Sequence, residues 1–165
     1  MAVKQLKSAA GFTLVEVMTA ILILSVAVIG ASGYRYYAAL DARRAAMQTT
    51  GARVGLLLCE SWRGLSDPNT FDPVAQFSSE RTITTATEAS TLEYHYKAAG
   101  FTLLGVYTIA TNGVSYYAVL SWKDVSSGLR ALNVVVVWPP QGQIGSNYLY
   151  YYACKSFKLT TYRSI

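Results

Sequence analysis

The chain has 165 residues, 52% hydrophobic and only 14% charged, which excludes intrinsic disorder and a charge-rich coiled coil. One histidine and two cysteines leave no material for a multi-histidine metal centre, a cysteine-rich zinc module or a dense disulfide scaffold. The net charge is +5, and Lys4 and Lys7 of a short N-terminal stretch supply two of those charges, so the remaining excess is too small to mark nucleic-acid binding.

The apolar residues cluster at the front. Residues 1–11, MAVKQLKSAAG, carry two lysines and no acid. From Val17 to Tyr34 no residue is charged, a run of about 18 positions, which as a helix just crosses a hydrocarbon core of about 30 Å. Extended back to Phe12, the helix holds one charge, Glu16. The leading lysines favour a cytoplasmic N-terminus and an exported C-terminal body. Ala31-Ser32-Gly33 mimics the small-residue site of an ordinary secretory signal. The residues Gly11-Phe12-Thr13-Leu14-Val15-Glu16 point to a cut ahead of the apolar run instead.

This segment resembles the class III signal of type IV pilins and pseudopilins. It has a basic leader, a glycine, Phe-Thr-Leu, a glutamate at the fifth mature position and then an unbroken apolar helix. The resemblance covers residues 1 to about 40. It implies that a membrane prepilin peptidase cuts between Gly11 and Phe12 and N-methylates Phe12. It also implies that Glu16 pairs with the N-terminus of a neighbouring subunit during assembly. The physics agrees with that last role, because a carboxylate in a bilayer is costly without a compensating charge, and a buried pair favours one register. Major pilins often carry proline at the twenty-second mature position. Here that position is Gly33, and no proline precedes Pro68, which favours a minor pilin or minor pseudopilin.

Tyr34, Arg35, Tyr36 and Tyr37 form an aromatic and cationic border suited to a membrane–water interface. Beyond it Leu40, Met47, Gly51, Val54, Leu58 and Leu65 recur at spacings of three, four or seven, and most charges fall off that stripe. The spacing predicts that the helix continues to Leu65 with one packing face. Gly51 and Gly55 mark either a close approach of another backbone or simply lost stability. Gly64 and Ser66-Asp67-Pro68-Asn69 end the helix, and residues 67–76 read as a loop. Asp67 and Asp72 are oxygen donors five positions apart without the pattern of a calcium loop, so no metal is assigned.

Strands follow. Thr82–Thr85 is a short candidate. Thr91–Lys97 alternates, with Leu92, Tyr94 and Tyr96 on one face and Glu93, His95 and Lys97 on the other. Phe101–Ala110 and Val114–Lys123 flank Asn112-Gly113, a two-residue hairpin signal. After Ser126-Ser127-Gly128, Leu129–Trp138 contains four consecutive valines, typical of a strand buried on both faces. Pro139-Pro140 stops it, Gln141–Asn147 is a flexible loop, and Tyr148–Tyr162 is a last strand. Short turns make neighbours antiparallel, and the amphipathic half of the helix is the available cover. The expected fold is α+β, a long N-terminal helix packed by its second half on an antiparallel sheet of four to six strands. The divisions are residues 1–11 (leader), 12–34 (membrane and polymerisation half of the helix), 35–66 (amphipathic half) and 67–165 (exported β-rich region).

The single His95 falls on a polar strand face, so no Ser-His-Asp arrangement is available elsewhere. Gly142-Gln143-Ile144-Gly145 lacks the lysine and spacing of a phosphate loop. No enzyme and no cofactor is expected. Cys59 in the helix and Cys154 in the last strand either form a bridge in an oxidising compartment or remain two buried thiols. Tyr148, Tyr150, Tyr151 and Tyr152 with Lys155, Lys158 and Arg163 are compatible with base stacking and phosphate contacts, or with an ordinary strand.

The expected function is a structural subunit of a type IV pilus or type II secretion pseudopilus. It would sit in the inner membrane, be cleaved and N-methylated, and then assemble through its helix. The alternative is a minor tip pilin acting in adhesion or DNA capture. The resemblance implies as partners the prepilin peptidase, other pilin or pseudopilin subunits, an inner-membrane assembly platform and, before assembly, membrane lipid. Nucleic acid is the less favoured partner.

Overall fold

The computed structural model describes residues 11–65, 67–77, 82–87, 89–139 and 154–164. They fall into two compact units that divide between Arg43 and Arg44. The first helix, α1 (Leu14–Gly64), contributes to both.

In the first unit, residues 17–34 of α1 carry no charge and present apolar side chains on all sides, as a lipid-facing helix must. Leu14, Met18, Leu22, Ile23, Leu24, Val26 and Ile29 are all more than half exposed. The polar side chains inside this stretch satisfy themselves. Thr19 Oγ1 donates to the Val15 and Glu16 carbonyls, Ser25 Oγ to Ile21 O and Ser32 Oγ to Val28 O, all at 2.8–3.0 Å. Each hydroxyl is therefore bonded without water, which a bilayer interior requires.

In the second unit, residues 44–64 of α1 cover a five-stranded antiparallel sheet. A 3-10 turn (Pro68–Thr70) and a short helix α2 (Pro73–Phe77) lead from it to β1 (Thr82–Thr85). Then come helix α3 (Ala89–Tyr96), β2 (Thr102–Thr111), β3 (Val114–Ser126), β4 (Leu129–Trp138) and β5 (Lys155–Ser164). The sheet order is β1-β2-β3-β4-β5, so every strand pairs with its neighbour in sequence. This is the α+β, pilin-like arrangement anticipated from the pattern. Asn112 (φ 52°) and Gly113 (φ 71°) both lie in the left-handed region, as a type I′ hairpin turn demands.

Strand alternation sorts the core. Tyr116, Ala118 and Leu120 of β3 and Leu132, Val134, Val136 and Trp138 of β4 meet Val54, Leu58 and Trp62 of α1. Fully burying such a side chain stabilises by about 1.5–3 kcal/mol. Met47 and Leu65, two positions of the expected stripe, are partly buried against this cluster. Tyr116 Oη donates to the Met47 carbonyl at 3.2 Å. Arg130, 8% exposed, holds the α1–β1 connection to the sheet. Its Nε and Nη2 bond Asp124 Oδ1 and Oδ2 at 2.6 and 3.1 Å, and its Nη1 bonds Asn69 Oδ1 at 2.7 Å. Its guanidinium carbon stands 3.9 Å from the centre of the Trp122 ring. The forked hydrogen bonds hold the Asp124 carboxyl below the usual carboxylate range.

Three expectations need correction. Thr91–Lys97 lies in and just after a helix, not a strand. Leu92 is fully buried and Tyr96 packs against the same cluster, while Glu93 and Lys97 form an i, i+4 ion pair at 2.6 Å. Tyr94, placed by alternation on the Leu92 face, is 84% exposed. Both spacings of four are helical, and they override the apparent period of two. The amphipathic half of α1 is also not the sheet's sole cover, because Leu92 of α3 and Ala86 pack over Val106, Val119, Val135 and Val137 on the side away from α1. The stretch 67–76 contains the 3-10 turn and the start of α2, not loop alone. Asp67 Oδ1 accepts from Asn69 N at 2.9 Å and Asp72 Oδ1 from Val74 N at 3.0 Å, so each begins one of these turns as a cap.

Candidate functional site

The chemistry-bearing residues gather at the start of α1. Gly11, Phe12 and Thr13 precede the helix in non-helical backbone, and all three are exposed. The helix begins at Leu14, two positions later than the apolar pattern suggests. Thr13 is the reason. Its Oγ1 accepts from Glu16 N at 3.3 Å, and its carbonyl accepts from the Glu16 and Val17 amides. Thr13-Leu14-Val15-Glu16 has the spacing of a capping box, a signal in the sequence that the apolar run obscures. The Gly11–Phe12 bond thus lies outside the hydrogen-bonded helix. Glu16 lies in the first turn of α1. There its charge complements the helix dipole. Among the described residues no other acid occurs before Asp41.

The remaining candidates are dispersed. Cys59 and Cys154 are both free thiols, so the bridge considered from sequence is not made. Cys59 is buried among the α1-facing core, whereas Cys154 packs against the opposite cluster beside Tyr96. A sheet lies between the two environments. Burial raises both thiols, assisted at Cys59 by Glu60 and opposed at Cys154 by a hydrogen bond with Tyr96. His95 is half-buried on α3 with its ring edge-on to Tyr94 at 5.2 Å. Among the described residues no group of three or more His, Cys, Asp or Glu is placed to hold a metal. Tyr148, Tyr150, Tyr151 and Tyr152 lie outside the described residues, and Lys155, Lys158 and Arg163 are on β5.

Gly51 and Gly55 have a definite use. A Cβ at Gly51 would stand 2.7 Å from the Trp138 ring, and one at Gly55 2.8 Å from the Phe157 ring. The close approach is therefore of aromatic side chains, not of another backbone. Sequence reading missed Trp62, which is fully buried and stacked on Phe71 at 5.8 Å. It also missed Arg130, whose only signal was a lone cation at the head of an apolar strand.

Residues 6–32 match the family model of the prokaryotic N-terminal methylation motif. The chain carries the type IV pilin and pseudopilin signal. The match spans the Gly11–Phe12 bond, Glu16 and most of the apolar half of α1. No curated protein and no solved structure matches the chain. The signal supports a pilin-like or pseudopilin subunit, a structural part and not an enzyme. It implies processing by a prepilin peptidase and assembly with other such subunits. By length and composition α1 holds a stretch long and apolar enough to cross a membrane, and none of that stretch is buried. With the signal, that points to a protein anchored in the inner membrane.

Proposed function

We propose that this chain is a structural subunit, of the minor type, of a type IV pilus or a type II secretion pseudopilus. Residues 1–11 are its leader, residues 12–34 its membrane and polymerisation segment, and the rest its exported body. The leader lysines hold the N-terminus in the cytoplasm until the peptidase cuts after Gly11 and methylates Phe12. The carrying observation is the methylation motif at the head of an apolar helix whose first turn holds Glu16. Cleavage exposes an amine four residues from that carboxylate. On its own chain that amine stands on non-helical backbone ahead of the first turn, and between staggered helices the amine of one compensates the acid of the next. An uncompensated carboxylate costs several kcal/mol in lipid, so assembly is driven toward the stagger that pairs them. An inner-membrane platform delivers the subunit from lipid into the filament.

Mass spectrometry of sheared filaments and of the cell envelope tests this. A peptide beginning at Phe12 and carrying one added methyl is expected. Its presence in filaments marks a pilus subunit, and its retention in the envelope marks a short pseudopilus. An intact leader in both fractions refutes the reading. Glu16→Ala is expected to leave cleavage intact while incorporation falls. Normal incorporation would remove Glu16 from the assembly mechanism.

A further inference from the structure

The two edges of the sheet are unlike. β1 is four residues long, and β5 is ten. The β4–β5 register runs unbroken from Leu129↔Ser164 to Trp138↔Lys155, whereas β2–β3 and β3–β4 each contain a shift. Alternate residues of an antiparallel strand direct their backbone groups to opposite sides. Half of the β5 amides and carbonyls therefore face away from β4, and among the described residues no strand pairs with that side. Edges are normally closed by shortness, a bulge, proline or charge. β5 has no proline and no bulge against β4. It has charge alone: Lys155 and Lys158 are exposed, Arg163 is half-buried, and no acid occurs in the strand.

The charge decides what can pair there. Two β5 strands laid antiparallel would bring four exposed lysines into one ribbon, and like charges facing each other across strands are destabilising. A second copy of this edge is thus disfavoured, and the same lysines attract an acidic strand. The side chains divide by face. Phe157 and Leu159 pack toward the α1-facing core, and Lys158 lies opposite Val135 on the other face. We propose that the outer edge of β5 is a docking edge for an extended, acidic segment of another protein, which adds to the sheet as a further strand. Backbone pairing supplies the affinity and Lys155 and Lys158 supply the selection. This proposal does not depend on the subunit reading.

The test uses the full chain in detergent and three synthetic strand peptides. One repeats two glutamates and two valines, so that each of its faces carries acid, one has lysine in place of each glutamate, and one is the acidic peptide N-methylated on two successive central amides. The acidic peptide is expected to bind about tenfold or more tightly than the lysine peptide at low salt, with the preference shrinking as salt rises. It should slow hydrogen exchange of β5 amides. The methylated peptide should not bind, because both of its edges are blocked. Lys155→Glu/Lys158→Glu should invert the preference, and both positions are exposed, so folding is retained. Four results overturn the proposal: no binding of the acidic peptide at millimolar concentration, equal binding of the methylated one, an unchanged preference in the double variant, or protection away from β5.

Discussion

The closest helix–sheet approach offers a sharp test of the packing argument. Gly51→Ala places a methyl carbon 2.7 Å from Trp138 Cζ3 and 2.9 Å from Cε3, where comfortable carbon contacts are about 3.5–4.0 Å. The ring or the helix must yield by about 1 Å. Alanine gains about 1 kcal/mol over glycine inside a helix, and overpacking a core costs about 1–3 kcal/mol. The ring is 4% exposed, but it lines an open cavity of about 510 Å³ together with Met47, Gln48 and Pro139. Relief in that direction keeps the steric cost in the lower part of its range. The single variant is therefore expected to lose up to about 1 kcal/mol, by the same two ranges. The informative measurement is a double-mutant cycle with Trp138→Leu, followed by urea unfolding of the full chain in detergent. Trp62 and Trp122 remain as fluorescence reporters. Without the ring, Gly51→Ala should stabilise by about 1 kcal/mol, giving a coupling of about 1–2 kcal/mol. A coupling below about 0.5 kcal/mol, the scatter of independent sites, would show that Gly51 is not needed for the ring to seat.

Other consequences can be measured on the same preparation. Tyr116→Phe removes the donor to the Met47 carbonyl and should cost about 0.5–1.5 kcal/mol; no change in urea midpoint would show that bond to be immaterial. The Asp124 carboxyl is held below its ordinary range by Arg130. The stability it adds is present above the unfolded carboxylate pKa of about 3.9 and is lost as pH falls through the lower folded value. Asp124→Asn should therefore flatten the acid limb of the stability–pH curve, and an unchanged limb would argue against this pair. A thiol titration of the native chain should find two free thiols, with Cys154 reacting before the buried Cys59. A single intrachain bridge on a non-reducing gel would contradict the separation of the two across the sheet.

The parts of the fold read correctly from sequence were those where one local signal had no rival. Asn112-Gly113 admits few alternatives to a tight hairpin, and four valines bounded by a turn and two prolines suit a strand covered on both sides. Residues 91–97 failed because Leu92-Glu93-Tyr94-His95-Tyr96-Lys97 satisfies a period of two and a spacing of four at once. The choice is made by Leu92 finding the valines of the sheet's outer face, which is a tertiary fact. Trp62 and Arg130 escaped for a similar reason, since their roles depend on Phe71 and on Asn69 and Asp124. Of the candidate site, Gly11, Phe12 and Glu16 could be named from the sequence because their order along the chain is itself the signal. The cysteine bridge was left open because spacing along a chain does not tell on which side of a sheet a thiol falls.

The sheet order also bears on how the body acquires its structure. Because every strand pairs with the one before it, the sheet can grow hairpin by hairpin from contacts close in sequence, which fold fast. The helix-to-sheet contacts are of another kind: Met47 and Tyr116 are 69 positions apart. Closing such a loop carries an entropy cost that only the finished apolar face can offset. Docking of residues 44–64 is thus the late, committing event, and until it happens the inner side of the meander is bare. A chain slowed at that step, as by a bulkier residue at position 51, would be expected to show itself first in aggregation and proteolysis during biogenesis, before any loss in the equilibrium stability of the molecules that complete it.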